Sequence, residues 1–305
     1  MNDRIGVVGL GVMGSAMSKQ LLAAGYEVNG FDPLPEKVDA FAGLGGLPEE
    51  SGAAVAASSD VVLLSLPSAA ALDKATAELR RGAHEGLVAI EMGTLPLEEK
   101  ERARETLAEV GVELMDVPVS GTGLQAEDGT LVVFASGSPE AFDRCAPLFE
   151  AIGRSTHYLG PFGNGSVMKY IANLLVAVQT LAAAEAHALG IAAGMDPALV
   201  QEVMSDGVGS SKIFDIRGPM MVEDVYSPPS ARLSIILKDA GIIKAFAEGV
   251  GAPTPLLDAS MPVYGDAADS LGDLDAAALC RHLERLGDLE RIAVGTTDGG
   301  PVEAS

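Results

Sequence analysis

Residues 9–14 read GLGVMG, and farther along a lysine, Lys169, precedes Asn173 by four positions. In a G-x-G-x-x-G loop, Gly9 permits a tight turn, Gly11 has no side chain to keep a pyrophosphate away, and Gly14 lets a helix pack close to a strand. The N-terminus of that helix would meet phosphates with unbonded N–H groups and the positive end of its dipole. The spacing alone also suits any tight strand-to-helix turn. What favours a dinucleotide is Asp32, which closes the next apolar run 23 residues after Gly9, where a carboxylate can hold ribose hydroxyls. A carboxylate at that point accepts from a free 2′-hydroxyl and repels a 2′-phosphate, and the following PLPEK brings no arginine. NAD(H) is therefore expected over NADP(H). The competing reading of Asp32 is that it starts the turn before Pro33 and Pro35.

A lysine opening an apolar helix is usually solvated. Three features argue otherwise for Lys169. GNG at 163–165 gives the backbone freedom to approach a ligand, Asn173 at i+4 shares its helix face, and the first turns of a helix disfavour a charged amine. A lysine whose pKa is lowered in this way suits general acid–base work. A third stretch, VSGTG at 119–123, offers the Ser120 hydroxyl and backbone N–H groups to a carboxylate, although a plain loop after a strand would also use Gly121 and Gly123.

The elements that must position these residues follow from periodicity. Apolar runs rich in Val and Ile at 5–10, 26–32, 60–67, 87–93, 112–120 and 129–137 read as strands, with helix-like stretches such as 13–24, 97–110 and 138–152 between most of them. This alternation predicts an α/β fold, a Rossmann-type doubly wound parallel sheet. From Gly165 onward the chain reads as helix, at 166–193, 197–206, 213–225, 230–249, 254–268 and 275–292. The expected division is a dinucleotide-binding domain over 1–163, an all-helical domain for substrate and dimerisation over 164–294, and a disordered polar tail over 295–305.

Composition narrows the classes. With 43 Asp plus Glu against 20 Lys plus Arg, the chain has a net charge of −23 and no basic patch for nucleic acid or a membrane surface. The apolar stretch from Tyr170 is interrupted by Asn173, Gln179, Glu185 and His187, which fits a helix buried in protein better than one in lipid. Cys145 and Cys280 read as buried free thiols, and the four histidines lack metal spacing, so no metal is expected. His187 reads as a core residue, Asp239 as an ion-pair partner of Lys238, and Arg217 as solvent-facing, while Lys212 is open between solvent and a substrate acid group. MNDR runs into an apolar strand without a signal-peptide layout, so a cytoplasmic location is expected.

Four stretches in order, GLGVMGSAMSKQL (9–21), DVPVSGTGLQAEDGTL (116–131), GNGSVMKYIAN (163–173) and LKDAGII (237–243), resemble the motifs of the β-hydroxyacid dehydrogenase family, the group of 3-hydroxyisobutyrate dehydrogenases and tartronate semialdehyde reductases. The resemblance covers residues 4 to about 292. It implies a Rossmann-type domain with a helical domain, assembly as a homodimer or homotetramer, and hydride transfer between NAD(P) and a short 3-hydroxy acid or its oxidised form. It implies Lys169 as the catalytic acid/base, Ser120, Gly121 and Thr122 around the substrate carboxylate, and Asn173 orienting the substrate. It implies cofactor contacts from Gly9, Leu10, Gly11, Val12, Met13, Gly14 and Asp32, from Leu66 and Pro67 along the adenosine half, and from Thr94 and Lys238 near the nicotinamide. The chain departs from the family pattern at Thr122, where a second glycine is usual, at Gln125, where a small residue is common, and at Ala172, which replaces the first asparagine of a pair. An imine reductase, whose relatives generally lack the lysine, and a non-catalytic dinucleotide-binding module are the alternatives on the same scaffold.

Overall fold

The computed structural model describes residues 3–291, so the tail expected at 295–305 lies outside the described residues. Six strands, β1 (Ile5–Val8), β2 (Val28–Phe31), β3 (Leu47–Pro48), β4 (Val61–Leu64), β5 (Val88–Glu91) and β6 (Glu113–Asp116), form one parallel sheet in the order β3-β2-β1-β4-β5-β6. The helices α1 (Val12–Ala23), α2 (Pro35–Gly43), α3 (Gly52–Ser58), α4 (Ala69–Gly82) and α5 (Leu97–Ala108) connect them in turn. β1, β4 and β5 are buried at every position, as central parallel strands covered on both faces must be. Side chains alternate between two cores. Ile5, Val7, Val61, Leu63 and Ile90 pack with Met17 and Leu21, while Val8, Val62, Leu64 and Ala89 pack with Val55, Leu72 and Leu79.

The expected strand at 112–120 divides. Pro118 has no N–H to continue a ladder, so β6 ends at Asp116 and a short strand β7 (Val119–Ser120) starts another sheet. After α6 (Gly123–Glu127), β8 (Leu131–Ala135) pairs antiparallel with β7; then, beyond α7 (Pro139–Ile152), β9 (Gly153–Tyr158) pairs parallel with β8. The run at 129–137 therefore lies in a separate three-stranded sheet. Two strands have no sequence signature. β3 is a two-residue edge that ends in proline, a residue tolerated only at edges, and β9 is the mostly polar GRSTHY.

The rest is helical, namely α8 (Asn164–Ala192), α9 (Pro197–Asp206), α10 (Lys212–Glu223), α11 (Leu233–Gly249), α12 (Pro255–Leu271), a 3-10 turn at Ala276–Ala278 and α13 (Leu279–Leu286). The described residues form two compact units: those up to Leu174 with Gly241–Pro253, and Leu175–Ala240 with those from Thr254 to Arg291. The division falls inside α8 and again inside α11, because a continuous helix can serve one core with its first turns and another with the rest. By length and composition α8 is apolar enough to cross a bilayer, but half of its most apolar window is buried in protein, as are its polar residues Asn173, Thr180 and His187.

In the second unit, His187 is buried, its Nδ1 lies 2.9 Å from the Ala183 carbonyl and its ring stacks on Phe214. Cys145 and Cys280 are free and buried, and burial pushes the Cys145 thiol up to about 12. Arg217 does not face solvent as its sequence context implied. It is 3% exposed; Nε donates to Asp275 Oδ1 at 3.3 Å and Nη1 donates to Thr180 Oγ1. Helix α10 presents this residue inward because Asp275 lies opposite, a pairing 58 positions away that no local pattern reveals. Asp275 also accepts from Ser230 N and Oγ, Ala231 N and Ala277 N.

Burial pushes the Asp275 carboxyl up, but Arg217 and these donors outweigh it and hold it below the usual carboxylate range. Its stabilisation is therefore complete above the unfolded carboxyl's pKa, about 3.9, and is lost as pH falls through the lower folded value. Replacing Asp275 by Asn leaves a buried guanidinium uncompensated, at a cost of about 3–5 kcal/mol. Thermal melts at pH 7 should show Tm lowered by on the order of 10 °C, and the gap from wild type should narrow below about pH 4. An unchanged Tm would show that the pair contributes nothing.

Candidate active site

The glycine loop leaves β1 at its C-terminal end. Gly9 has φ +95°, and a Cβ there would lie 2.3 Å from the Ser65 carbonyl oxygen. At Gly14 a Cβ would lie 1.9 Å from the Gly9 carbonyl oxygen. Both glycines are thus required by the fold. Gly11 is different, since a Cβ there meets nothing within 4 Å. Its lack of a side chain serves open space beside the loop, where a ligand can lie. Gly11 is also the N-cap of α1 and gives it no side-chain hydrogen bond, whereas Ser51, Ser68 and Ser138 cap α3, α4 and α7. The first N–H groups of α1 are left for an anion.

Asp32, just past β2, holds the loop from the far side. Its Oδ2 accepts from Leu10 N at 2.8 Å and its Oδ1 from Leu34 N at 3.0 Å. Each oxygen keeps a further lone pair. Open space at Gly11, an uncapped helix start and a fixed carboxylate fit a dinucleotide with its pyrophosphate at α1 and its ribose at Asp32.

The other candidate loops gather on the same edge. Leu66, after β4, approaches to 3.4 Å from a Cβ placed at Gly9, and its carbonyl oxygen to 3.2 Å from one placed at Gly93, next to the half-buried Thr94. Pro67 is exposed. β1 and β4 are adjacent while their connections leave to opposite sides, so this is the switch point at which doubly wound sheets bind ligands. The Ser120–Thr122 loop belongs here too, because a Cβ on Gly123 would touch Val12 at 2.8 Å. Gly121 has φ +148°. Thr122 caps α6 in a capping box with Gln125, whose Oε1 accepts from Thr122 N at 2.9 Å. The two departures from the family motif therefore form one local structure.

Beneath these loops lies a cluster that sequence reasoning missed. Lys100 is fully buried on α5, with Nζ 2.5 Å from Glu91 Oε2, 2.9 Å from Asp116 Oδ1 and 2.8 Å from the Gly93 carbonyl. Burial lowers the Lys100 pKa, yet Asp116 and Glu91 outweigh it and leave the ammonium more basic than usual. Burial pushes the Glu91 carboxyl up against the pull of Lys100. Asp116 reaches α8, accepting from Ser166 N at 2.7 Å (Oδ2) and Ser166 Oγ at 2.8 Å (Oδ1). Gly165 N donates to Ser136 Oγ, which donates in turn to the Asp116 carbonyl, both at 2.9 Å. Tyr170 OH donates to the Leu95 carbonyl at 2.5 Å. The signal available in the sequence was Glu91, an acid ending the apolar strand VAIE.

Lys169 follows Ser166 by three residues and is half-buried; Asn173, a turn later, is 9% exposed. All the candidates except Lys238 belong to the first compact unit. Lys238 lies in the second, where it pairs with Asp239 at 2.8 Å. Among the described residues no three His, Cys, Asp or Glu are grouped to hold a metal.

A switch-point site with a glycine loop and a lysine-bearing helix defines an NAD(P)-binding oxidoreductase of Rossmann type. Comparison with known proteins agrees and narrows the class. Residues 4–160 match the NAD binding domain of 6-phosphogluconate dehydrogenase, and residues 163–283 match the NAD-binding domain of NADP-dependent 3-hydroxyisobutyrate dehydrogenase. The chain is 34% identical to an L-threonate dehydrogenase of Cupriavidus necator, covering 92% of this chain and 96% of that protein. It is 32% identical to a 3-hydroxyisobutyrate dehydrogenase of Pseudomonas aeruginosa, covering 91% and 94%. A solved structure of Mycobacterium tuberculosis 3-hydroxyisobutyrate dehydrogenase with L-serine superposes with a TM-score of 0.85 at 26% identity, covering 93% of this chain and 99% of that one. The chain belongs to the β-hydroxyacid dehydrogenase family.

The glycines predict a split outcome. Gly11→Val should leave Tm nearly unchanged and weaken NADH binding by about tenfold or more, or ~1.4 kcal/mol. Gly14→Val should lower stability by at least about 1–3 kcal/mol through overpacking. Fluorescence titration with NADH and thermal melts read both; unaltered NADH affinity in Gly11→Val would remove the cofactor from this loop.

Proposed function

We propose that the enzyme oxidises a short 3-hydroxy acid with NAD+, or reduces the corresponding semialdehyde or keto acid with NADH, using Lys169 as general acid/base. The observation that carries this reading is the anchoring of α8. Its first turn is bonded to Asp116 at the C-terminal end of β6, so Lys169 and Asn173 rise from the same sheet edge as the glycine loop. When bound, the nicotinamide supplies the hydride chemistry. The Lys169 amine takes the hydroxyl proton in oxidation and returns it in reduction, and Asn173 orients the oxygen that carries it. Ser120 and Gly121 hold the carboxylate. The Thr122 N–H is committed to Gln125, so Thr122 contributes its hydroxyl, whose proton is free to donate. Lys238 is assigned to the cofactor by its KDAG motif. The presence of Lys169 favours alcohol oxidation over imine reduction.

Asp32 supports NAD over NADP, since a second negative group beside its carboxylate would be repelled. The protein is read as a soluble cytoplasmic enzyme. Its assembly is read from α8, where Met168, Ile171, Leu175 and Leu189 are 37–72% exposed at helical spacing. A second copy covering this face by two-fold symmetry makes a homodimer, or half of a homotetramer. Light scattering at micromolar concentration should give at least twice the chain mass; a clean monomer removes this part of the reading.

The central experiment measures NADH formation with 3-hydroxyisobutyrate, L-threonate and L-serine, with NADP+ in parallel. NAD+ should be preferred. Lys169→Ala should lose about 10²-fold or more in kcat while binding NADH as wild type does. Undiminished turnover in that variant sinks the lysine mechanism, and preference for NADP+ sinks the reading of Asp32.

A further inference from the structure

The Glu91–Lys100–Asp116 cluster joins two segments that catalysis needs in register. One is the loop after β5, held through the Gly93 carbonyl on Lys100 and the Gly93 N–H on Glu91 Oε1, at 2.8 and 2.9 Å. The other is the start of α8, held through Ser166 N and Oγ on Asp116. Every side chain in this path is at most 1% exposed, so each bond is made away from competing water. A serine hydroxyl alone could cap α8 from its own chain, as Ser68 caps α4. A buried carboxylate 50 positions away fixes the helix start against the sheet instead.

We propose that Asp116 and Ser166, seated by Lys100, are positioning residues that set the location of the Lys169 amine relative to the loop bearing Thr94. The inference rests on the reading of Lys169 as the acid/base. One turn of helix separates Ser166 from Lys169, so a shift of the helix start carries directly to the amine. A displacement of ~1 Å at a reacting group is enough to cost about 10²-fold in rate.

The test reads Lys169 both without and with substrate. Lysines of the whole protein are reductively ¹³C-methylated, and the Lys169 signal is assigned by its loss in Lys169→Ala. In Ser166→Ala and Asp116→Asn that signal should shift or broaden while the signals of the exposed lysines stay, and in Ser166→Thr, which keeps the hydroxyl, it should return to the wild-type position. With whichever of the three acids is turned over fastest, unmethylated Ser166→Ala should lose kcat by about tenfold or more, with KM and NADH affinity within about threefold. Ser166→Ala removes one hydrogen bond, at about 1 kcal/mol, and stays folded even if Asp116→Asn does not. A Lys169 signal unmoved in folded Ser166→Ala overturns the proposal, as does a fall in stability with no split between kcat and KM. If Lys169→Ala keeps its turnover, the acid/base reading fails while the signal still reports whether the cluster positions the side chain.

Discussion

Lys100 lies in the dry interior between two carboxylates, and the C-terminal edge of the sheet is organised around it. An ammonium is excluded from such a place unless its charge is met. Glu91 and Asp116 meet it, and each can do so only if β5 and β6 end level with one another and α5 returns across them. The requirement is mutual. Two buried carboxylates without the lysine would repel, and the upward push on Glu91 shows that burial already works against its ionised form. The triad therefore fixes where β5 and β6 end and where α5 begins, and the loops after the two strands lie on that edge of the sheet.

The same rim shows two uses of glycine within six residues. Gly9 and Gly14 are demanded by the protein itself, because a methyl at either would strike backbone oxygen. Gly11 is demanded by nothing in the protein and opens onto space. A loop evolved only to turn would not need it, whereas a loop that brings backbone N–H groups to an anion would. Asp32 braces the loop from the far side, each carboxylate oxygen accepting from one backbone N–H, of Leu10 and of Leu34.

The Ser120–Thr122 loop is built on another principle. Family members commonly place small residues around the carboxylate, whereas this chain has Thr122 and Gln125, which satisfy one another at the start of a five-residue helix too short to hold itself. The pair makes the loop stiffer and more polar, and it changes which groups of Thr122 are left for a ligand.

Much of this protein was legible in its sequence because the relevant physics is local. The continuous apolar runs at β1, β4 and β5, the turn demanded by Gly9, the face shared by Lys169 and Asn173 and the helices of the second half follow from backbone geometry over a few residues. The resemblance in four motifs added the family. What only the tertiary structure decided is non-local. β7 and β8 left the main sheet once Pro118 interrupted the run, and β3 and β9 formed by pairing with neighbours rather than by their own propensity. Arg217 turned inward to meet Asp275. Glu91, Lys100, Asp116 and Ser166 met across positions 91 to 166. A charge is stable in the interior only beside its partner, and the identity of that partner is set by the fold, so these residues carry no mark of one another in their own neighbourhoods beyond the acid that ends VAIE.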